Sequence, residues 1–197
     1  MKRTSFFDNP LTIIALLFVL VFGSAGAACR WMAARALKGS EVPQDWKTIE
    51  TDFFSVAVPP TMKKLDLRGI DSQVMGFEND EIRFVIEYGA YSTDVGFSLK
   101  YYEGESEPVV IDGKTVELIS YNANKPLENP KGAVNADGRN ASGPVEKPYV
   151  TGVQFPRDGL VFAPNRHLTA SFIASYKTSE DRETAQTILA SIKFKDK

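Results

Sequence analysis

The only histidine and the only cysteine of the chain, His167 and Cys29, are the first residues to test for chemistry. A Ser-His-Asp site needs histidine as its base, so such a site would have to use His167. The chain beyond the leader has no Gly-x-Ser-x-Gly pattern to present the serine. One histidine and one cysteine cannot supply the usual ligands of a zinc site. We therefore expect no catalytic, cofactor-binding or metal-binding residue, and a hydrolase that uses His167 is the least favoured hypothesis.

Two other patterns resemble functional motifs. Glu103, Glu105 and Glu107 could approach a calcium ion, but the EF-hand spacing is absent, so we expect a solvated loop between strands. Gly113-Lys114-Thr115 resembles the end of a phosphate-binding loop, which needs a glycine five positions earlier, where Pro108 stands. Because Asp112-Gly113 is a favoured hairpin dipeptide, we interpret this segment as a turn.

Tyrosines and a phenylalanine cluster between residues 88 and 102. Aromatic residues in strands usually pack in the core or pair across strands. The alternative is a pocket in which the hydroxyl groups of Tyr88, Tyr91 and Tyr101 face a small ligand. A structure in which these rings are packed solid would exclude that pocket.

Residues 1–29 have the three-part pattern of a secretory signal. Lys2 and Arg3 give a positive start, residues 11–22 are almost wholly apolar, and residues 23–28 are all small. Since residues 13–22 offer no polar face, the stretch does not fit a helix at the surface of a globular core.

Three fates of this segment remain open. A signal peptidase could cleave after Ala27 or Ala28, or Cys29 could be lipidated, although Gly26 stands where such sites usually carry an aliphatic residue. The uncharged stretch also provides the ~20 residues that an uncleaved anchor needs to span a membrane. We expect a domain tethered to the cell membrane that faces the periplasm or the exterior.

Length and charge limit the remaining possibilities. A chain of 197 residues is typical of one domain. Its composition, 43% hydrophobic and 24% charged, is that of a globular protein. The net charge of −2 and the lack of a basic stripe argue against nucleic acid as a partner.

The periodicity beyond the leader predicts an α+β domain. Residues 30–45 are predicted to be a linker or a short helix, since residues 33–37 favour a helix, and residues 46–197 a single domain. Alternating apolar residues predict a mostly antiparallel sheet, with strands over residues 54–58, 73–77, 82–88, 97–101, 109–111, 115–120 and 168–176. Ala185, Ile188, Leu189 and Ile192 form one apolar stripe, which predicts a closing C-terminal helix that packs on the sheet. Residues 122–148 are rich in Asn, Gly and Pro and are predicted to form a long loop.

Several of these segments together resemble the PsbP/Mog1/DcrB-like domains. The opening strand of residues 46–59, the segments 71–74 and 87–92, and the closing strand, helix and short final strand of residues 174–194 carry the resemblance. It implies an antiparallel sheet flanked by helices in an α/β/α sandwich, and in bacteria often an exported protein or lipoprotein. Members serve as accessory or binding proteins without a shared catalytic site.

The sequence therefore favours a non-catalytic, membrane-tethered envelope protein that acts as an accessory or protein-binding module. Its partner would be a protein of the cell envelope, contacted through the long loop. The alternative is a periplasmic small-molecule or lipid-binding protein that uses the tyrosine pocket.

Overall fold

Strands dominate the chain, as the alternating sequence predicts. The computed structural model describes residues 35–37, 41–70, 72–89, 92–127, 145–155, 161–163, 166–167 and 169–195, with Arg35–Lys197 as one compact unit. The strands are β1 (Arg35–Ala36), β2 (Lys47–Glu50), β3 (Phe54–Val58), β4 (Lys63–Leu65), β5 (Ser72–Glu78), β6 (Ile82–Gly89), β7 (Tyr102–Ile111), β8 (Lys114–Pro126), β9 (Tyr149–Phe155), β10 (Val161–Ala163), β11 (Arg166–His167), β12 (Thr169–Tyr176) and β13 (Lys193–Phe194).

The main sheet has eight strands in the order β1-β7-β8-β9-β12-β6-β5-β4. A second sheet has the order β13-β3-β2, and β10 pairs with β11. All pairings between described strands are antiparallel except that of β1 with β7. The prediction of an α+β chain with a mostly antiparallel sheet is confirmed at this level.

The core lies between one face of the main sheet, the second sheet and the closing helix α1 (Arg182–Ala190). The predicted stripe of Ala185, Ile188, Leu189 and Ile192 is completely buried. The helix is preceded by a 3-10 turn, Ser179–Asp181, and the backbone N–H of Thr178 donates to Asp181 Oδ2 at 3.0 Å. This bond satisfies a donor at the helix start.

The predicted hairpin between β7 and β8 is confirmed and is longer than expected. The φ values of Asp112 and Gly113 are 49° and 74°. A tight hairpin turn of the favoured type requires positive φ at both central positions. A phosphate-binding loop joins a strand to a helix, whereas this turn joins two strands, so the interpretation as a turn is confirmed.

The glutamates Glu103, Glu105 and Glu107 lie in β7, so the prediction of a loop there is wrong. They are exposed, and Glu105 and Glu107 pair with Ser120 and Leu118 of β8, while Glu103 lies at an irregularity in the register.

Two further segments differ from the prediction. The strand predicted over residues 97–101 is wrong, since Val95–Lys100 form a 3-10 helix, in which the side chain of Asp94 accepts from the N–H of Phe97 and Val95 is buried. Arg35–Ala36 form a strand in place of the predicted short helix, because β7 offers them an edge to pair with.

The start of the predicted loop also belongs to the sheet. Asn122 pairs with Tyr149 and Pro126 with Tyr102, so β8 continues to Pro126. The side chain of Asn124 accepts from the N–H of Val145 at 2.9 Å, which ties the two ends of the loop together. Residues 128–144 of this loop lie outside the described residues.

Candidate functional site

A cleft of about 540 Å³ opens where the β5–β6 turn meets the segment that leads into β9. Its volume lies within the roughly 300–1,000 Å³ typical of ligand sites. It is lined by Thr61, Lys63, Leu65, Glu78, Asn79, Asp80, Glu81, Glu146 and Lys147.

An ion pair between a buried lysine and a half-buried glutamate lies in the lining of the cleft. Lys147 Nζ donates to Glu78 Oε1 at 2.6 Å, and the two side chains are 10% and 32% exposed. Such a pair costs desolvation energy, which the short contact offsets. An ammonium group has three donors, so a ligand acceptor that enters the cleft can share Lys147 with Glu78.

The local backbone makes the wall beside this pair rigid. Asn79 Oδ1 accepts from the N–H groups of Glu81 and Ile82 at 3.1 and 2.7 Å, which closes the turn after Glu78. Asn79 Nδ2 donates to Thr61 Oγ1 at 3.0 Å and so links the turn to the chain before β4. These bonds hold one wall of the cleft in place.

Acidic groups prevail around the rim. Asp80, Glu81 and Glu146 are exposed there, against the single exposed cation Lys63 among the lining residues. Glu146 makes a loose ion pair with Lys177 at 3.5 Å, and both groups keep contact with water. The cleft can bind polar and charged groups, with some preference for cations at its rim. The groups that line it do not form a nucleophile–base pair.

The predicted tyrosine pocket is only partly covered by the structure, and it stays a prediction. The Tyr88 ring makes edge contacts with Phe53 and Phe54, at 5.8 and 5.5 Å between ring centroids. Burial raises the pKa of the Tyr88 hydroxyl, and the Asp52 carboxylate raises it further. Tyr101 packs against Phe97 at 5.2 Å. Tyr91 lies outside the described residues, and neither Tyr88 nor Tyr101 lines the cleft.

The remaining sequence candidates lie elsewhere. Cys29 is outside the described residues, and His167 is described through its backbone, which pairs with Val161 in the β10–β11 hairpin. Glu105 forms an ion pair with Arg182 at 2.8 Å. Within the part of the chain that the structure describes, no three His, Cys, Asp or Glu side chains are grouped so as to hold a metal ion.

A cluster of hydroxyl groups on the other face of the main sheet was missed by sequence reasoning. Ser171 Oγ donates to the carbonyl of Thr93 at 2.6 Å, and the Thr93 hydroxyl and N–H both donate to Glu87 Oε2. Ser92 Oγ donates to Thr169 Oγ1 at 2.8 Å. The cluster fastens residues 92–93 to the sheet, so its role is structural. Ser171 and Thr169 were visible in the sequence only as the polar alternates of β12.

None of the helices in the described ranges is long and apolar enough to span a membrane. No protein-family model matches the chain, and no curated protein matches it either.

Proposed function

We propose that this protein is a non-catalytic component of the cell envelope, tethered to the membrane by its N-terminal segment or by lipid on Cys29. Its domain acts as an accessory or protein-binding module that faces the periplasm or exterior. The proposal includes a PsbP/Mog1-like α/β/α sandwich, which the antiparallel sheet and the closing helix support. The basic, apolar and small-residue pattern of residues 1–29 supports the tether.

The observation that carries the binding role is the cleft around Lys147 and Glu78. It is open, hydrogen bonds of Asn79 hold one of its walls, and its lining includes the ion pair of the buried Lys147 with the half-buried Glu78. Preformed sites bind without an added cost of ordering, and polar groups at fixed positions select orientation. A charged side chain of a partner protein fits such a surface better than an acyl chain does.

The test removes two rim charges and asks whether a partner is lost. The full chain carrying Asp80→Asn and Glu81→Gln is compared with the unchanged chain by cross-linking and mass spectrometry in membranes of its host. The matched control, Glu41→Gln with Asp45→Asn, neutralises the same two residue types at exposed positions outside the lining. We expect the rim variant to lose a specific cross-linked partner that the control keeps. Equal cross-linking by all three chains would contradict the use of the cleft.

A small-molecule carrier is the second candidate, and the shared ammonium of Lys147 favours it. Native mass spectrometry of the full chain, released gently from its membrane, would show a bound molecule. We expect Lys147→Met to lose that molecule if the cleft holds it, while Lys125→Met, which changes an exposed lysine outside the lining, keeps it. If Lys147→Met retains the molecule, the molecule binds outside the cleft.

The tether has its own test, the intact mass of the protein recovered from host membranes. A mass that corresponds to cleavage before Cys29 plus lipid would establish a lipoprotein. The full-length mass would establish an uncleaved anchor. A shortened chain without lipid would contradict both forms of tether.

A further inference from the structure

Ile70 extends into solvent from the connection between β4 and β5. It is 99% exposed. The other large apolar residues that are exposed in the described part of the chain, Val42, Phe97 and Val145, are 37%, 38% and 40% exposed. Single apolar residues at a protein surface are common, but an isoleucine that is wholly in water contributes nothing to the core. Its position therefore calls for an explanation outside the stability of the fold.

Packed neighbours hold this connection in place. A Cβ at Gly76 of β5 would lie 2.5 Å from Leu67 Cδ1 and 3.1 Å from Leu65 Cδ1, so both leucines pack directly against the backbone of the sheet. A Cβ at Gly69 would overlap the carbonyl oxygen of Ser72, so the chain also folds closely onto the start of β5 there. The segment that carries the isoleucine is therefore fixed to the sheet, and the isoleucine is directed away from it.

The charges around Ile70 indicate what it can contact. Lys64 and Arg68 are exposed, and residues 63–71 contain three basic and two acidic side chains. An apolar side chain with neighbouring cations is typical of segments that lie at a membrane interface, where the apolar group enters the acyl boundary and the cations reach the lipid phosphates. An anchor for a protein pocket usually lies at the centre of a well-packed patch, whereas Ile70 follows Gly69 and the charged Arg68.

We propose that Ile70 and the cations near it contact the surface of the lipid bilayer, and that this contact sets the orientation of the domain on the membrane. The inference rests on the membrane tether proposed above. Ile70 enters the boundary between headgroups and acyl chains, and Lys64 and Arg68 bind lipid phosphates. The contact is therefore stronger on an anionic bilayer than on a neutral one.

The contact is weak alone and sufficient for a tethered domain. Burial of one isoleucine side chain changes an equilibrium constant by about tenfold to hundredfold. Each lysine or arginine near an anionic surface contributes about fivefold, which Asp66 and Asp71 partly offset. A tether keeps these residues at a high effective concentration near the bilayer, so a contact too weak to recruit a free protein is occupied most of the time.

The experiment reconstitutes the protein, as it is recovered from host membranes, into vesicles of phosphatidylglycerol and brominated phosphatidylcholine in equal amounts. The key variant is Ile70→Trp, because bromine atoms on the acyl chains quench a tryptophan that reaches them. The unchanged chain gives the emission of Trp31 and Trp46, which is subtracted. Phe97→Trp is the matched control, since it changes an exposed apolar residue on the 3-10 helix that contacts β7 and β8, toward the opposite edge of the main sheet.

We expect the added tryptophan at position 70 to lose about half of its emission, because it lies at the acyl boundary, and the one at position 97 to lose almost none. Tryptophan itself favours membrane interfaces, so the comparison of the two positions is essential. Replacing phosphatidylglycerol by phosphatidylcholine, or adding Lys64→Gln and Arg68→Gln, should reduce the quenching at position 70 by about twofold or more. Ile70→Trp should fold, because the side chain that it replaces is outside the core.

Flotation of the same vesicles shows separately whether the chain is tethered. If the chain floats with the vesicles and position 70 is quenched no more than position 97, the lipid contact is overturned and the tether stands. If the chain neither floats nor is quenched at position 70, both proposals are overturned. Quenching that changes with neither the anionic lipid nor the two cations would overturn their role. If the segment binds a protein, position 70 stays unquenched, and a photo-cross-linking residue placed there attaches to protein and not to lipid in host membranes.

Discussion

Asp112 Oδ2 accepts a 2.8 Å hydrogen bond from the backbone N–H of Phe194, so the turn of the β7–β8 hairpin is tied to the last strand of the chain. Lys193 adds a second, mostly exposed contact to the other carboxylate oxygen at 3.3 Å. One side chain therefore shapes a turn and holds the second sheet in place.

Asp112→Ala should lower the free energy of unfolding by about 1–3 kcal/mol, because the Phe194 N–H is left without its acceptor. The change also places alanine at a φ of 49°. Non-glycine residues other than Asn, Asp and His rarely adopt such a positive value. Asp112→Asn keeps an acceptor and tolerates this φ, so it should cost less than half as much. Urea unfolding of the two variants checks this, and equal losses would show that the bond and the turn contribute nothing beyond the charge.

Removing the charge of Glu78 should lower the free energy of unfolding more than removing the charge of Lys147. Glu78→Gln leaves a buried ammonium without a counter-charge and should cost about 2–4 kcal/mol. The side chain of Glu78 is 32% exposed, so it keeps contact with water when the lysine is removed. Lys147→Met also keeps an apolar stem of similar length and should therefore cost about 1 kcal/mol. Urea unfolding measures both, and a larger loss for Lys147→Met would mean that packing, and not the charge, dominates this part of the cleft.

Tyr88 should make stability fall in strong alkali. Burial and then Asp52 raise the pKa of its hydroxyl above 10.0, so the folded state holds the proton more tightly than the unfolded state. This contribution is complete below about pH 10 and is lost as pH rises through the folded pKa. Burial raises the pKa of Tyr176 as well, so Tyr88→Phe should remove only part of the alkaline loss.

Unfolding of the unchanged chain and Tyr88→Phe at several pH values on either side of the ordinary tyrosine pKa checks this expectation. Asp52→Asn, which keeps the tyrosine, should lower the Tyr88 pKa. The pH dependence of its free energy of unfolding should therefore lie closer to that of Tyr88→Phe. Identical pH dependence in the unchanged chain and Tyr88→Phe would contradict the assignment.

Gly152 is a position where a methyl group should not fit. A Cβ there would lie 2.9 Å from the carbonyl oxygen of Phe172 and 3.1 Å from Val95 Cγ1. Gly152→Ala should therefore destabilise the domain by about 1–3 kcal/mol, because neither the strand backbone nor the buried valine can move freely. Gly96→Ala is the control, since its Cβ would meet only Asp94 Oδ1 at 3.3 Å. In thermal unfolding, the melting temperature of Gly152→Ala should be well below that of Gly96→Ala.

The elements that the sequence predicted correctly are those set by local rules. Asp112-Gly113 defines its hairpin because those residue types accept positive φ, and Ile188, Leu189 and Ile192 define the helix because their spacing requires a buried side. The strand expected at residues 97–101 failed because Asp94, lying outside the alternating stretch, caps a 3-10 helix. A segment of five residues is too short for its periodicity alone to distinguish a strand from a helix, so the cap decides.

The cleft could not be predicted in the same way. Lys147 and Glu78 are 69 residues apart, and nothing in the segment around Lys147 marks it as buried. The segment before Lys147 is rich in proline and was predicted to be a loop, so a lysine there was expected to lie on the surface. Lys147 reaches the β5–β6 turn through pairings that are distant in sequence, since Tyr176 of β12 pairs with Tyr149 on one side and with Ile82 on the other.

The closing contacts of the fold also set the order in which the chain can complete it. The Ser191 hydroxyl accepts from the N–H of Ala57 across 134 residues, and β13 pairs with β3. Since α1 and the segment after it supply part of the core, Phe54 and Val56 lack their final partners until residues 182–194 have been made. The core of this domain can therefore be completed only after residues 182–194 have left the ribosome.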